Sequence, residues 1–183
     1  MRGLFAAAVF CVAVSVVVAQ EPSSGQNEKP KDSHADCPMH RVHAHDESTS
    51  SAMNDRGDKG MRFSQTATTH HFLLNAYGGA IQVEVNDPSD TATRDNIRMH
   101  LSHIAKSFST GDFAIPMFVH DTVPPGVPVM KQLKDKIRYQ FEETPAGARV
   151  VIATTDPDAL AAVLQFLRFQ IAEHKTGDST AVR

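Results

Sequence analysis

The strongest constraint on this chain is an internal repeat. From about Phe63 onward one pattern occurs twice: strand, tight turn, strand, helix. The first copy runs His70-His71-Phe72-Leu73-Leu74, a turn at Tyr77-Gly78-Gly79, then Ala80-Ile81-Gln82-Val83-Glu84-Val85, and Asn86-Asp87-Pro88 opens a helix ending near Thr110-Gly111-Asp112. The second runs Ile137-Arg138-Tyr139-Gln140-Phe141, a turn at Pro145-Ala146-Gly147, then Arg149-Val150-Val151-Ile152-Ala153, and Thr155-Asp156-Pro157 opens a helix ending at Thr176-Gly177-Asp178. Both helices keep one apolar stripe at helical spacing, Ile97, Leu101, Ala105 and Phe108 in the first and Val163, Leu167, Ile171 and His174 in the second. A helix with one apolar stripe must bury it, and two hairpins supply the surface. The pattern predicts an α+β domain: two strand-strand-helix repeats forming a four-stranded antiparallel sheet with two helices on one face. Between the copies, Phe113 to Gln132 is a connector in which Pro116, Pro124, Pro125 and Pro128 deny a long helix, with room for a helical turn from Pro128 to Lys134.

The chain N-terminal to the repeat has a different character. Arg2 followed by the apolar run Leu4 to Val18 and a small-residue site at Ala19 reads as a secretory signal, residues 1–19, so the mature protein is expected in the periplasm or secreted, with no membrane attachment after cleavage. Residues 20–60 are rich in Ser, Asp, Glu, Lys, Gly and Pro and poor in aliphatic side chains, the composition of a disordered tail. The domain then covers residues 61–178, and residues 179–183 read as a disordered C-terminus. A formal net charge of −3 and a sequence pI near 6.3 give no electrostatic footprint for nucleic acid.

Histidine is the compositional outlier: ten in 183 residues, against roughly four expected from average usage. Within the tail, Cys37, Met39, His40, His43 and His45 put five soft or borderline donors in nine residues. Cys11 leaves with the signal, so Cys37 is the mature chain's one thiol and cannot form an internal disulfide. Within the domain, His100 and His103 stand one helical turn apart with Met99 beside them, and they align with Phe166 and Phe169 of the second repeat. One copy thus carries two imidazoles where the other carries aromatic packing. His70 and His71 open the first strand, where alternation allows one of them at most to face a common site. Met117 and His120 lie in the connector and Met130 follows its Pro-rich turn; His174 is a cation favourably placed at a helix C-terminus. Thioether, thiolate and imidazole donors together suit copper, with zinc second, since a structural zinc site would call for paired Cys and His. Haem with His or Met axial ligands is a further candidate, although there is no C-x-x-C-H attachment sequence.

Two resemblances follow from these residues. Cys37-Pro38-Met39-His40 resembles the C-P-M-H core of short heavy-metal-binding segments in exported copper-resistance proteins and copper-transporting ATPases. Thr69-His70-His71-Phe72, Pro124-Pro125-Gly126-Val127-Pro128-Val129-Met130, Phe141-Glu142-Glu143-Thr144 and Phe166-Leu167-Arg168-Phe169-Gln170-Ile171 resemble a poorly characterised bacterial family of often exported proteins. Its members sometimes carry the label aspartate carbamoyltransferase, which this chain does not support, having no Ser-Thr-Arg-Thr phosphate-binding run. The resemblance implies a shared fold and a shared metal role, and it supplies no catalytic residues.

The leading expectation is therefore an exported metal-binding protein, for copper, acting in storage, buffering, delivery or resistance, with a metal-transfer protein as its partner. His100, His120 and one of His70 and His71 would form the domain site, and Met99, His103, Met117 and Met130 would be additional donors. A small metalloenzyme with an open coordination position is the alternative, with Glu84, Glu142 or Glu143 as base. A binding module with incidental histidines is the third. An apolar outer sheet face would also invite a homodimer.

Overall fold

A computed structural model describes residues 51–183; the signal segment and the donors Cys37, Met39, His40, His43 and His45 lie outside the described residues. The chain enters as a helix over residues 51–61 (α1) and continues through a short 3-10 turn, Gln65–Ala67, into strands β1 (Thr68–Asn75) and β2 (Gly78–Val85). Helix α2 (Thr91–Ser109) follows, then two short helices, α3 (Ala114–His120) and α4 (Val127–Gln132). Strands β3 (Ile137–Thr144) and β4 (Gly147–Thr154) form the second hairpin, and α5 (Pro157–His174) closes the repeat.

The four strands make one antiparallel sheet in the order β1-β2-β4-β3, as the repeat predicts. Each hairpin turns on two residues, Ala76-Tyr77 between the paired Asn75 and Gly78, and Pro145-Ala146 between Thr144 and Gly147. The inner strands of the two hairpins meet at the centre, where Gly78 is required: its φ is +138°, and a Cβ there would sit 2.2 Å from the carbonyl oxygen of Ile152. The two long helices cover one face, but crosswise. Helix α2 packs mainly on β3 and β4, and α5 packs on β1 and β2. Each helix buries the other repeat's hairpin, so neither repeat can complete its core alone.

The predicted stripes are the core: Ile97, Leu101, Ala105 and Phe108 from α2 and Val163, Leu167 and Ile171 from α5 are buried against Phe72, Ile81, Val83, Val150 and Ile152. Helix α5 starts as expected, with Asp156 accepting hydrogen bonds from the backbone N–H groups of Asp158 and Ala159 and Pro157 in the first turn. Helix α2 starts later than Asp87-Pro88. Asp87 instead accepts from Ser89 N–H to close a preceding turn, and Asp90 caps the helix through Thr93 N–H. The connector holds two short helices where one turn was expected, because Pro116 and Pro128 each fall in a first turn, whose N–H groups have no intrahelical acceptor.

The ends of the domain also differ from the expectation. Residues 51–60, read from composition as tail, are helical, and Met53, Gly57 and Met61 recur every four residues on the buried side. The Nε of Arg56 donates to the carbonyl of Val119 at 2.9 Å, tying α1 to α3. At the other end residues 179–183 continue a strap along the free edge of β1. Asp178 accepts from Phe72 N–H at 2.9 Å and faces His71 Nδ1 at 3.0 Å, and Arg183 N–H reaches the carbonyl of Leu74 at 3.4 Å. An edge strand presents unpaired backbone groups, and the strap pairs two of them, the N–H of Phe72 and the carbonyl of Leu74. Alternation puts Thr69, His71, Gln82, Glu84, Arg138, Gln140, Glu142 and Arg149 on the helix-free side of the sheet. That face is mixed, with Leu73, Ala80, Val151 and Ala153 in register among the polar positions. Among the described residues no helix is long and apolar enough to cross a membrane.

Candidate metal centre

Four imidazoles from four separate elements meet at one cavity of about 70 Å³. His70 is on the helix-facing side of β1, in phase with Phe72 and Leu74. His100 precedes Leu101 at the margin of the buried stripe of α2. His120 is the last residue of α3, before Asp121 breaks the helix with φ 52°. His174 is the last residue of α5, where Lys175 takes φ 50°. The rest of the wall is mainly apolar, including Met61, Phe72, Ile81, Val83, Leu101, Ile104, Phe108 and Phe166, and no carboxylate is among the lining residues.

The rings are close. His174 lies between two others, 5.8 Å from His70 and 5.1 Å from His120 between ring centres. Phe63 contacts the remaining pair, 6.3 Å from the ring of His70 and 5.6 Å from that of His100. Burial strips water from the imidazoles and disfavours their cations, and the neighbouring histidines add repulsion. His70 and His100 are pushed down to about 4 and His174 to about 3, with burial the main cause in each. His120 is lowered too, by burial against the opposing pull of Gln170 and Glu173. At neutral pH the cavity therefore holds neutral rings, each with one bare nitrogen lone pair.

One tautomer is specified by a neighbour. Gln170, 4% exposed on α5, places Oε1 3.0 Å from His120 Nε2, and an amide oxygen can only accept, so Nε2 carries the proton and Nδ1 the lone pair. His120 Nδ1 is buried without a hydrogen-bond partner, as is His70 Nε2. The nearest carboxylate to that Nδ1 is Glu173, at 3.9 Å. Buried polar atoms left unpaired are uncommon in folded proteins and call for an explanation.

The structure gathers His70, His100 and His120, three of the residues named from sequence, and leaves others apart. His71 faces away and pairs with Asp178. Met130 is fully buried in the core and Met117 is half-buried on α3, and neither lines the cavity. Met99 and His103 are exposed on α2, in a groove beside the cavity. The nominated bases are elsewhere: Glu84 is on the outer face, Glu142 pairs with Arg149, and Glu143 pairs with Arg98 at 3.2 Å. Sequence reasoning missed His174 as a site residue, although it continues the stripe Val163, Leu167, Ile171 and so had to point inward. It also missed Gln170, a polar residue on a buried helix face.

Among the described residues, no group of three or more His, Cys, Asp or Glu side chains stands in an arrangement ready to hold a metal ion. The ring spacings bound how far the imidazoles are from one. With metal–nitrogen bonds of about 2.0–2.1 Å, ring centres lie roughly 3.2 Å from a shared ion and so at most about 6.4 Å apart. Both pairs around His174 fall inside that limit, but the His70 and His174 rings are stacked only 6° from parallel, so at least one of them must turn before both can direct a nitrogen at one ion. No protein-family model, curated protein or solved structure matches the chain.

Proposed function

We propose that this is an exported metal-binding protein whose cavity takes a copper ion, in the service of storage, buffering, delivery or resistance. The observation that carries the reading is the convergence of His70, His100, His120 and His174, all favoured neutral, on one small apolar cavity. A metal ligand must be deprotonated, and these rings need lose no proton at pH 7. His70, His120 and His174 are the nearest set, the bare atoms His70 Nε2 and His120 Nδ1 are available donors, and Gln170 orients His120 as outer-shell partners commonly do. A volume of about 70 Å³ suits an ion, whereas pockets for organic cofactors occupy roughly 300–1,000 Å³. The absence of lining carboxylates favours copper over hard cations, and zinc is second.

Export rests on the Arg2-to-Ala19 segment, and the Cys37-Pro38-Met39-His40 segment would serve as a capture or transfer arm toward a partner protein. The test is to purify the mature chain from Gln20, measure bound metal by elemental analysis, and titrate the apoprotein with Cu(I), Cu(II) and Zn(II). One tight copper per domain, lost in His174→Ala and in His120→Ala, is the expected result. A melting temperature that ignores all three ions, with the tail donors replaced, would sink the proposal.

A further inference from the structure

A second groove adjoins the cavity. Its lining includes Met61, Arg62, Met99, His100, His103 and Ile115, and its volume is about 370 Å³. Met61, His100 and Ile115 also line the histidine cavity, so the two spaces meet along one wall. The groove presents two thioethers and two imidazoles and no carboxylate. Met99 and His103 are i and i+4 on α2, neighbours on one helix face, and Met99 is 57% exposed. Met61, across from them at the end of α1, is buried at 8%. Donors thus run from the groove into the cavity: Met99 and His103 line the groove alone, Met61 and His100 line both spaces, and His70, His120 and His174 line the cavity alone.

Charge narrows what this path can carry. The cost of taking an ion from water into an apolar site rises with the square of its charge, and neither space has a carboxylate in its lining to offset it. Arg62 adds a cation at the groove. Thioethers moreover select Cu(I).

We infer that this groove is the loading port for the cavity and that the ion loaded is Cu(I), received by Met99 and His103 and handed through Met61 and His100 to the inner imidazoles. The transfer is ligand exchange: one donor bond forms as another breaks, and copper keeps its oxidation state throughout. The inference rests on the cavity being the resident copper site, and the experiment separates the two.

The full mature chain, with Cys37→Ser, Met39→Leu, His40→Asn, His43→Asn and His45→Asn to silence the tail, is mixed with a coloured Cu(I)–bicinchoninate complex. Loss of its absorbance gives the transfer rate, and the endpoint gives affinity and stoichiometry. Met99→Leu/His103→Asn should slow loading by about tenfold, about 1.4 kcal/mol in the barrier, and leave the endpoint unchanged. His174→Ala should instead weaken the endpoint. Loading at the parent rate in the groove variant, with His174→Ala still weakened, would overturn the port and leave the cavity site standing. A weakened endpoint in the groove variant would make the groove the resident site and also overturn the transfer role. No Cu(I) uptake by the parent would bring down both readings together.

Discussion

At the scale of single residues, the protein keeps four histidines in surroundings that favour their neutral form, and this has a cost in stability that depends on pH. His70, His100 and His174 titrate at about 4, about 4 and about 3 when folded, against 6.5 for an unperturbed ring. In that interval the unfolded chain binds more protons than the folded one, so stability rises with pH across it. The contribution is complete above pH 6.5 and is lost progressively as pH falls toward 4. The apoprotein should therefore lose on the order of a few kcal/mol between pH 7 and pH 4.5. Urea denaturation at several pH values checks this, and the His100→Gln/His174→Gln variant should show a flatter profile. A flat profile in the parent would mean that the rings are hydrated. Gln170 makes a second prediction. If it orients His120 for the metal, Gln170→Leu should reduce copper affinity by about 10–100-fold, measured by competition with a chelator, while the ligand count seen by X-ray absorption stays the same.

At the scale of elements, the repeat was legible because it is written in periodicity: alternation in the strands, four-residue spacing in the helices, and Pro or Gly at the ends. What could not be read was how the elements cross. Nothing local tells α2 to cover β3 and β4 and not its own hairpin, and it is this crossing that brings His100 and His174 to one cavity with His70. His174 was misread for a related reason, since helix-end electrostatics is a local rule and burial by a neighbouring layer is not. Helix α1 escaped because composition over a 40-residue window outweighed one buried stripe of Met53, Gly57 and Met61. A close approach between elements supplies the next prediction. Gly126, at the start of α4, has φ +85°, and a Cβ there would lie 2.1 Å from the carbonyl oxygen of Ala162 on α5. The clash is with backbone, so relief requires moving α4 off α5. Gly126→Ala should cost more than about 1–3 kcal/mol, the cost of ordinary overpacking, and should lower the melting temperature of apo and loaded forms alike.

At the scale of the whole molecule, the question is where the folded unit begins, because the two proposed metal modules, tail and cavity, are separable only if the cut falls outside the core. Helix α1 belongs to the core: Met53 is 5% exposed, Met61 lines the cavity, and Arg56 is bonded to Val119 on the helix that carries His120. A chain starting at residue 51 keeps all of these contacts, and one starting at Gly60 loses Met53 and Arg56 while exposing the apolar surface they covered. Removing a buried Met side chain alone costs about 2–5 kcal/mol. The shorter chain should thus melt on the order of 10 °C lower than the longer one in calorimetry, and its cavity should bind copper more weakly, because Met61 and Phe63 lose the helix that holds them over the imidazoles. The two chains lack the same tail donors, so any difference in copper binding between them is assigned to α1. Equal melting temperatures and equal affinities would show instead that the unit is complete from Gly60 and that α1 packs on it without supporting the site.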